Sequence, residues 1–362
     1  MRNILFLAIV LLLVTACTAT QPAPTSTPTQ SSAPPTSTPV PPTPLPWLHP
    51  SGRVHHQLIY DAECDSIYLF GGSLGDFMDP ENASNEVWSY EPTSNKWEEM
   101  KPWSDPEPMS AVAAAYDAES SRVIRFGGGT QSLPQLEATD IFLEETWSYN
   151  CETDTWKEMA KGPSPRLGHQ MVYLTASDRI IVFGGVGKQG MNDTWVYDFN
   201  TDTWIAMDPD TSPPRRYHHS MAYDIESDKV LAWGGRDLPD KNMWAYDFST
   251  DTWEKMVASG GPPHRNYAAM VYDSKADRVI MYGGLGYDDT WTYDYNTNTW
   301  TEMNPDHSPG KLARHAMIYD PSSDKTILFG GRYYDSDPFI YMDETWTYDF
   351  NTNTWTNVTP NQ

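Results

Sequence analysis

A short aromatic segment recurs six times in this chain and restricts the fold more than any other feature. In each copy, Trp-x-Tyr is followed by a second Trp nine residues after the first. The two Trp of each copy are Trp88 and Trp97, Trp147 and Trp156, Trp195 and Trp204, Trp244 and Trp253, Trp291 and Trp300, and Trp346 and Trp355. A glycine pair precedes every copy: Gly71-Gly72, Gly127-Gly128, Gly184-Gly185, Gly234-Gly235, Gly283-Gly284 and Gly330-Gly331. Successive copies start 47 to 59 residues apart, a spacing typical of repeat proteins whose units bury their apolar faces against one another.

Each repeat is predicted to form a small antiparallel sheet. The Trp and Tyr of Trp-x-Tyr are two residues apart, so they point to the same face of a strand. Two further strand-like stretches precede them, for example residues 57–60 and 66–70 in the first repeat. A closed ring of six such sheets buries every aromatic face and leaves only short, protected edges. The pattern therefore predicts an all-β fold over residues 51–362, a six-bladed β-propeller with four antiparallel strands per blade.

The repeats resemble those of the kelch family. That family's pattern is an apolar strand ending in Gly-Gly, a loop, a strand ending in Tyr-Asp, a short turn and a Trp. Tyr197-Asp198 matches it, whereas Tyr90-Glu91 departs at the last position, and the resemblance extends over His55–Val358. It implies a kelch-type propeller whose strands run from the inner to the outer edge of each blade. No blade would then be shared between the chain ends, and blade 6 would close the ring by packing on blade 1, helped by Trp47.

Residues 1–16 have the features of a secretion signal. Arg2 precedes an apolar run from Ile4 to Val14, which suits a signal-peptide core and is too short for a stable membrane span. Thr15-Ala16-Cys17 then resembles the lipobox of bacterial lipoproteins, in which the cysteine is lipidated and becomes the first mature residue. The alternative is an ordinary signal peptide in which Cys17 is incidental. The small residues directly before Cys17 favour lipidation.

Residues 17–50 are expected to tether the propeller. From Thr18 to Pro46 the chain consists almost wholly of Pro, Thr, Ser, Ala and Gln and has no charged residue. Because this stretch has too little apolar surface to offset the entropy of ordering, it is predicted to be a disordered linker. With a lipid on Cys17, this arrangement places the propeller in the bacterial cell envelope, outside the cytoplasmic membrane.

Charge and cysteine content restrict the partners. The chain has 49 Asp and Glu against 24 Lys and Arg, a formal charge of −25 that repels phosphate backbones, so we expect no nucleic-acid partner. Three cysteines are too few for a disulfide framework. Cys64 and Cys151 lie in polar, turn-like segments, and two alternatives stay open for them: a disulfide or two unpaired thiols. We expect the propeller to be a monomer.

Metal and cofactor motifs are missing from the sequence. Asp198-x-Asn200-x-Asp202 resembles the start of a calcium-binding loop, but Thr203 stands where glycine is required and Pro209 where a carboxylate is required. Side chains that cap their own turns explain this run better. No second cysteine or histidine lies at ligand spacing from the first. We therefore expect neither a metal nor another cofactor.

The loops that follow Gly-Gly differ in length. From the first glycine to the first Trp the gaps are 17, 20, 11, 10, 8 and 16 residues in repeats 1 to 6. The long loops of repeats 6, 1 and 2 become neighbours once the ring closes, and they form a raised side, here called the crest. Its aromatic residues include Phe77, Phe142, Tyr333 and Tyr334. These rings either bind a glycan or a cationic partner or pack the loops onto the propeller.

The segments that enter the first strands carry a second pattern, Arg-x-x-His. The predicted ligand-binding residues of these segments are Arg53, Arg166, His169, Arg216, His219, Arg265, Arg314 and His315. They are expected to surround the channel mouth as an anion-receptive pocket in an acidic protein. The kelch resemblance implies two roles for such arginines, binding acidic peptides or satisfying loop carbonyls, and both stay open here.

Two functions are compatible with these features. The first is a cell-envelope binding or scaffold protein that recognises a protein or a glycan through the loops of one face, and the lack of a catalytic motif favours it. The alternative is an enzyme acting on an anionic sugar, because envelope kelch proteins of similar size include N-acetylneuraminate epimerases. In that case protons would be moved by His169, His219 and His315, and a carboxylate would be held by Arg166, Arg216 and Arg265.

Overall fold

Every repeat folds into one antiparallel sheet of four strands, as the aromatic pattern predicts. The computed structural model describes residues 49–76, 79–130, 141–236 and 240–360. The first strand of each sheet contacts the first strands of both neighbouring sheets, and the first and last sheets complete the cycle. The fold is therefore a six-bladed β-propeller. The predicted signal peptide, Cys17, Trp47 and Phe77 lie outside the described residues.

The first three blades follow one another along the chain. Blade 1 consists of β1 (Gln57–Asp61), β2 (Ser66–Ser73), β3 (Ala83–Glu91) and β4 (Lys96–Met100), with a 3-10 turn at Pro80–Asn82. Blade 2 consists of β5 (Ala113–Asp117), β6 (Arg122–Phe126), β9 (Thr146–Asn150) and β10 (Thr155–Glu158), and the short strands β7 (Gly129–Thr130) and β8 (Ile141–Phe142) pair within its loop. Blade 3 consists of β11 (Gln170–Leu174), β12 (Arg179–Phe183), β13 (Thr194–Asp198) and β14 (Thr203–Ala206).

The last three blades repeat this order. Blade 4 consists of β15 (Ser220–Asp224), β16 (Lys229–Trp233), β17 (Met243–Asp247) and β18 (Thr252–Met256). Blade 5 consists of β19 (Ala269–Asp273), β20 (Arg278–Tyr282), β21 (Thr290–Asp294) and β22 (Thr299–Glu302). Blade 6 consists of β24 (Ala316–Asp320), β25 (Lys325–Phe329), β27 (Thr345–Asp349) and β28 (Thr354–Asn357), and β23 (Leu312–Ala313) pairs with β26 (Arg332–Tyr333) beside it. Each blade comes from one continuous segment, which confirms that no blade is shared between the chain ends.

The repeated aromatic residues form the core between blades. In each blade the Tyr of the third strand lies opposite the second Trp on the fourth strand, as Tyr197 does opposite Trp204. The ring centroids of these six pairs are 4.8 to 5.1 Å apart. The Trp and Tyr of one Trp-x-Tyr segment, for example Trp244 and Tyr246, belong to the same hydrophobic cluster. Both side chains therefore face the same neighbouring blade, as the two-residue period predicts.

Blade 6 closes the ring by packing on blade 1. The Trp97 ring of blade 1 lies 5.1 Å from the Phe329 ring of blade 6, and its indole nitrogen donates to Thr345 Oγ1 at 3.0 Å. The amide of Asn95 also donates to the carbonyl oxygen of Val358 at 2.6 Å. Closure thus rests on side-chain contacts and hydrogen bonds between the first and last blades.

The glycine pairs mark positions where the backbone requires glycine. Both residues of every pair have positive φ, for example +66° and +102° at Gly184 and Gly185. A Cβ atom added to Gly184 would lie 2.7 Å from the carbonyl oxygen of Arg216, so backbone contact leaves no room for a side chain. The expectation of close backbone approach with positive φ at these pairs is confirmed.

A disulfide joins the first two blades. Cys64, in the turn between β1 and β2, is bonded to Cys151, which begins the turn between β9 and β10. Of the two alternatives left open by the sequence, the structure contains the bonded pair. Within the described part of the chain, no helix has the length and apolar character that a membrane span requires.

Candidate ligand-binding face

The two faces of the ring differ in their connections. The loops after Gly-Gly and the segments that enter the first strands share one face, here called the Gly-Gly face. The hairpin turns between the first and second strands lie on the opposite face, here called the turn face. The predicted ligand-binding residues belong to the segments of the Gly-Gly face.

The arginines that enter blades 1, 3, 4 and 5 are buried inside their blades. Their relative exposure is 0% to 3%, and the four residues are Arg53, Arg166, Arg216 and Arg265. Each one donates from Nη1 to the carbonyl oxygen of the first glycine of its own blade, at 2.9 to 3.3 Å. Each one also pairs with a carboxylate that precedes the Trp-x-Tyr segment of the same blade.

Blade 3 shows how this arrangement uses the guanidinium. Arg166 donates to Gly184 O at 2.9 Å and to Asp193 Oδ2 at 2.7 Å, and Trp195 Nε1 donates to the same carboxylate oxygen at 2.8 Å. Burial raises the pKa of Asp193, but the hydrogen bond and charge of Arg166 outweigh it and hold that pKa below its usual value. The donors of Arg166 are therefore occupied, and the role of satisfying loop carbonyls is the one that the structure supports.

The histidines of the same segments lie between blades. His56 Nε2 is 3.1 Å from the carbonyl oxygen of Phe329 in the preceding blade. Burial lowers the pKa of His56 and of His169 to about 3 and that of His315 to about 4, and burial also holds the pKa of His219 well below its usual value. These imidazoles are therefore neutral and enclosed at neutral pH. Apart from Arg314, the arginines and histidines predicted for the channel mouth are buried in the blades and seams, and their binding of an anion stays a prediction.

Six other residues form the centre of the Gly-Gly face. Each blade contributes the residue directly before its histidine position, and all six have positive φ: His55, Ala111, Gly168, His218, Tyr267 and Arg314. The backbone N–H of each one donates to the carbonyl oxygen of the one in the preceding blade, at 2.7 to 3.3 Å, and His55 donates to Arg314 to complete the cycle. This hydrogen-bonded ring closes the central channel at the Gly-Gly face.

The side chains of this ring form an aromatic and basic cluster. The His55 and His218 rings are 5.1 Å apart, the Tyr267 ring is 4.5 Å from His218, and the Arg314 guanidinium lies 4.6 Å from the Tyr267 centroid. Burial, then the charge of Arg314, holds the pKa of both histidines well below the usual range. Of the predicted arginines, only Arg314 is at the channel end and partly exposed.

Arg332 adds a second positive charge beside Arg314. It lies opposite Ala313 in the β23–β26 ladder, and its guanidinium is 3.9 Å from the Phe339 ring centroid. Burial, then the charge of Arg314, lowers the pKa of Arg332, whereas Asp76 opposes the shift. Among the described residues, no carboxylate lies within 4.0 Å of Arg332, and its Nε has no hydrogen-bond partner. We call Arg314, Arg332, Tyr267, His55 and His218 the basic centre.

The crest residues divide into packed and exposed groups. Tyr333 packs on the core of blade 6, and Phe142 packs against Ala111 of the ring. Tyr334 and Phe339 are 44% and 51% exposed. The packing alternative therefore holds for Tyr333 and Phe142, whereas ligand binding by the exposed rings stays a prediction; this exposed aromatic surface borders the basic centre.

Most of the basic centre was missed by sequence reasoning. Arg332 occurs once and has no counterpart in the other repeats, so the repeat pattern does not reveal it. His55, His218 and Tyr267 stand directly before the histidine position, and their common signal is the positive φ that the structure shows. The repeat therefore identifies the segment, but the position at the channel end is one residue before the predicted histidine position.

Comparisons with known proteins agree with this architecture. The sequence matches the KLHDC2/KLHL20/DRC7 Kelch-repeats domain family over residues 34–212 and 207–362. Kelch-like protein 33 of Homo sapiens is 27% identical over 146 residues, which are 40% of this chain and 24% of that protein. Mei4-dependent protein 6 of Schizosaccharomyces pombe is 29% identical over 154 residues, which are 38% of this chain and 21% of that protein.

An enzyme is also among the similar proteins. The N-(sulfonatooxy)prop-2-enimidothioate sulfolyase of Thlaspi arvense is 27% identical over 135 residues, which are 35% of this chain and 34% of that protein. The matched segments thus span at most about a third of the length of these relatives.

Proposed function

Because this chain belongs to the kelch-repeat family, we propose that it is a protein-binding scaffold that recognises an acidic group of its partner at the basic centre. The observation that carries this proposal is Arg332, a guanidinium without a carboxylate within 4.0 Å among the described residues and with Arg314 beside it. In a chain of formal charge −25, two adjacent positive groups at the centre of one face are an unusual local arrangement.

A carboxylate ligand would relieve the repulsion between these two groups. Arginine presents a planar fork of donors that matches a carboxylate in two parallel hydrogen bonds. The Tyr267 ring under Arg314 and the Phe339 ring under Arg332 hold the guanidinium planes in place. The geometry therefore favours an acidic side chain or a chain-terminal carboxylate as the recognised group.

The neighbouring loops would supply apolar contact to the same partner. Tyr334, Phe339 and Ile340 are 44% to 55% exposed on the long loop of blade 6, next to the basic centre. Exposed aromatic and aliphatic side chains around a charged anchor are typical of protein interfaces. An acidic glycan carries the same carboxylate, and binding measured with both peptides and glycans distinguishes the two sources.

The enzymatic alternative gains no support from the site. His169, His219 and His315 are enclosed between blades, and Arg166, Arg216 and Arg265 are bonded to carboxylates and carbonyls. The ring nitrogens of all three histidines are buried, so none of them is placed to exchange a proton with a sugar. Binding is therefore the function that the geometry favours.

For the location of the scaffold, we propose the cell envelope, with a lipid on Cys17 and residues 17–50 as a tether. The Cys64–Cys151 disulfide supports a compartment outside the reducing cytoplasm. Metabolic labelling with an alkyne fatty acid tests the anchor. We expect label on the native chain and none on Cys17→Ala, and a native chain without label would contradict lipidation.

The binding proposal is tested with immobilised peptides and glycans on the full chain in detergent. Acidic peptides with free C-termini, their amidated neutral counterparts and acidic glycans serve as probes. We expect acidic peptides to bind, with an affinity that falls as salt rises. Arg332→Ala should weaken binding roughly tenfold or more, since hydrogen bonds between charged groups are lost.

The control variant is Arg122→Ala, which removes an arginine at the start of β6, near the turn face. It should leave the affinity unchanged. Binding of acidic glycans alone would assign the site to glycans, and equal binding by the native chain and Arg332→Ala would contradict the proposal.

A further inference from the structure

The turn face of the ring has a central opening, in contrast to the closed Gly-Gly face. The first strands of all six blades surround a cavity of about 410 Å³. At its inner end lie His56, His219 and His315, each one residue after a member of the hydrogen-bonded ring. At its outer end lie residues of the turn face, among them Ala118 and Ile225. The cavity is therefore a blind cup that opens on the side opposite to the basic centre.

The rim of this cavity carries no charged side chain among the described lining residues. Its members follow the first strands directly: Ala118, Thr175, Ile225, Ser274 and Pro321. Carboxylates are buried in the adjacent turns, where Asp61 accepts the backbone N–H of Glu63 at 3.0 Å and Asp273 accepts that of Lys275 at 3.0 Å. These carboxylates leave a negative field around the mouth, which disfavours an anionic ligand.

The inside of the cavity also disfavours a cation. Its walls are largely apolar, with Met171, Met221 and Met317 among them, and the described lining contains no carboxylate that could pair with a buried positive charge. Transfer of an unpaired charge into such surroundings is costly. Charge therefore selects against ions of either sign.

Polar groups near the inner end can still form hydrogen bonds. The side-chain amide of Gln170, which begins β11, lines the cavity and has no hydrogen bond to another described residue. The side-chain amide nitrogen of Gln57 donates to Val112 O at 2.9 Å, which leaves the side-chain carbonyl oxygen as an acceptor for a ligand. Unused donors and acceptors in a closed space match hydroxyl or amide groups of a ligand.

We propose that this cavity is a second binding site, independent of the basic centre, for a small uncharged molecule that carries hydroxyl or amide groups. Its volume equals that of roughly a dozen water molecules in the liquid, which is the scale of a single sugar ring with its substituents. Gln170 is the residue that would hydrogen-bond the ligand at the inner end, and the apolar walls would cover the rest of its surface.

The test is ligand-observed NMR on the full chain in detergent. N-acetylglucosamine and galactose serve as uncharged probes at millimolar concentrations, and glucuronic acid and glucosamine serve as charged counterparts of the same size. We expect saturation transfer to at least one uncharged probe and none to the charged ones. Gln170→Leu should weaken the binding of that probe roughly three- to tenfold, as expected for one neutral hydrogen-bonding pair.

Two controls separate this site from the basic centre. Gln189→Leu changes an exposed glutamine in the blade 3 loop of the Gly-Gly face, and Arg332→Ala removes the acid-binding arginine. Both should leave the saturation transfer unchanged, and the thermal transition of each variant confirms folding. No transfer to either uncharged probe, or equal affinity in Gln170→Leu and the native chain, would overturn the proposal whatever the acidic peptides do.

Discussion

Two neighbouring seams of the ring are held together by different means. In the seam between blades 2 and 3, Trp204 Nε1 donates to Thr146 Oγ1 at 3.2 Å, and the His169 ring packs edge-on to Phe126 with centroids 5.1 Å apart. In the seam between blades 1 and 2, Val87 replaces the threonine and Val112 replaces the histidine. Trp156 Nε1 is consequently buried without a hydrogen-bond partner among the described residues.

The disulfide lies in one of the two seams that lack both the threonine and the histidine; the other is the seam between blades 4 and 5, which has Met243 and Ala268 at these positions. Cys64 and Cys151 connect blade 1 to blade 2. In the segment that leads into blade 2, Met109 stands at the arginine position and Val112 at the histidine position. Blade 2 therefore lacks the contacts that arginine and histidine make in blade 3. In this seam a covalent bond stands where blades 2 and 3 have an indole–threonine hydrogen bond and a histidine ring contact.

Removal of the disulfide is expected to have the largest effect. The double variant Cys64→Ser/Cys151→Ser should lower the free energy of unfolding by about 2–5 kcal/mol. The disulfide joins residues that are 87 positions apart in the sequence, so it strongly restricts the unfolded chain. Denaturant unfolding measures the loss. Hydrogen exchange should rise first in β9 and β10, while β13 and β14 of blade 3 keep their protection. Uniform loss of protection in all blades would contradict a local role.

The next largest effect is expected when blade 3 is made like blade 2. Arg166→Met leaves Asp193 and the carbonyl of Gly184 without their partner. We expect a loss of about 2–4 kcal/mol in denaturant unfolding, less than for a fully enclosed pair because Asp193 retains contact with water.

The matched control for Arg166→Met is Met109→Leu in blade 2. This change conserves volume and polarity, so it should cost less than about 1.5 kcal/mol. Equal losses in the two variants would mean that the arginine contributes no more than its volume.

A third prediction concerns pH. The pKa of His169 is lowered to about 3 in the folded chain, so the unfolded chain binds the proton first as pH falls. The contribution of His169 to stability is therefore present above pH 6.5 and is lost progressively between pH 6.5 and about 3. His169→Val, which imitates blade 2, should reduce the dependence of the unfolding free energy on pH by about 1.4 kcal/mol per pH unit in this window. An unchanged slope would show that His169 is protonated in both states.

The architecture could be predicted because local patterns determine it. Trp-x-Tyr, Gly-Gly and the nine-residue spacing recur in every blade, and each encodes a strand, a turn or a buried ring without reference to distant residues. Pairing of Cys64 with Cys151 could not be predicted in this way, because it depends on how closely two turns of different blades approach.

The site was harder to predict because burial decides the role of each arginine. The sequence does contain a signal that Arg53 is structural. Glu86 stands two residues before Trp88, and in the fold Glu86 forms an ion pair with Arg53 and accepts a hydrogen bond from the Trp88 indole. The ring of six backbone hydrogen bonds requires all blades at once, and Arg332 belongs to no repeat position. Long-range closure and a unique residue thus determine the basic centre.

The smallest expected effect comes from restoring the missing threonine. Val87→Thr places a hydroxyl where Thr146 accepts the indole N–H in the next seam. Because Trp156 Nε1 is buried and has no partner among the described residues, the new hydrogen bond should stabilise the chain by about 1 kcal/mol in denaturant unfolding. The reverse change at a buried indole, Thr345→Val opposite Trp97, should cost a similar amount.

A second seam without threonine provides the control. Met243 occupies the threonine position opposite Trp300, but the Trp300 side chain is only half-buried and can reach water. Met243→Thr should therefore not raise the free energy of unfolding, because the Trp300 indole N–H would exchange a hydrogen bond to water for one to the threonine hydroxyl. If both substitutions stabilise equally, burial of the indole nitrogen is not what distinguishes the seam between blades 1 and 2. If only Val87→Thr stabilises, burial of the unpaired indole nitrogen is what distinguishes the seam between blades 1 and 2 from the seam between blades 4 and 5.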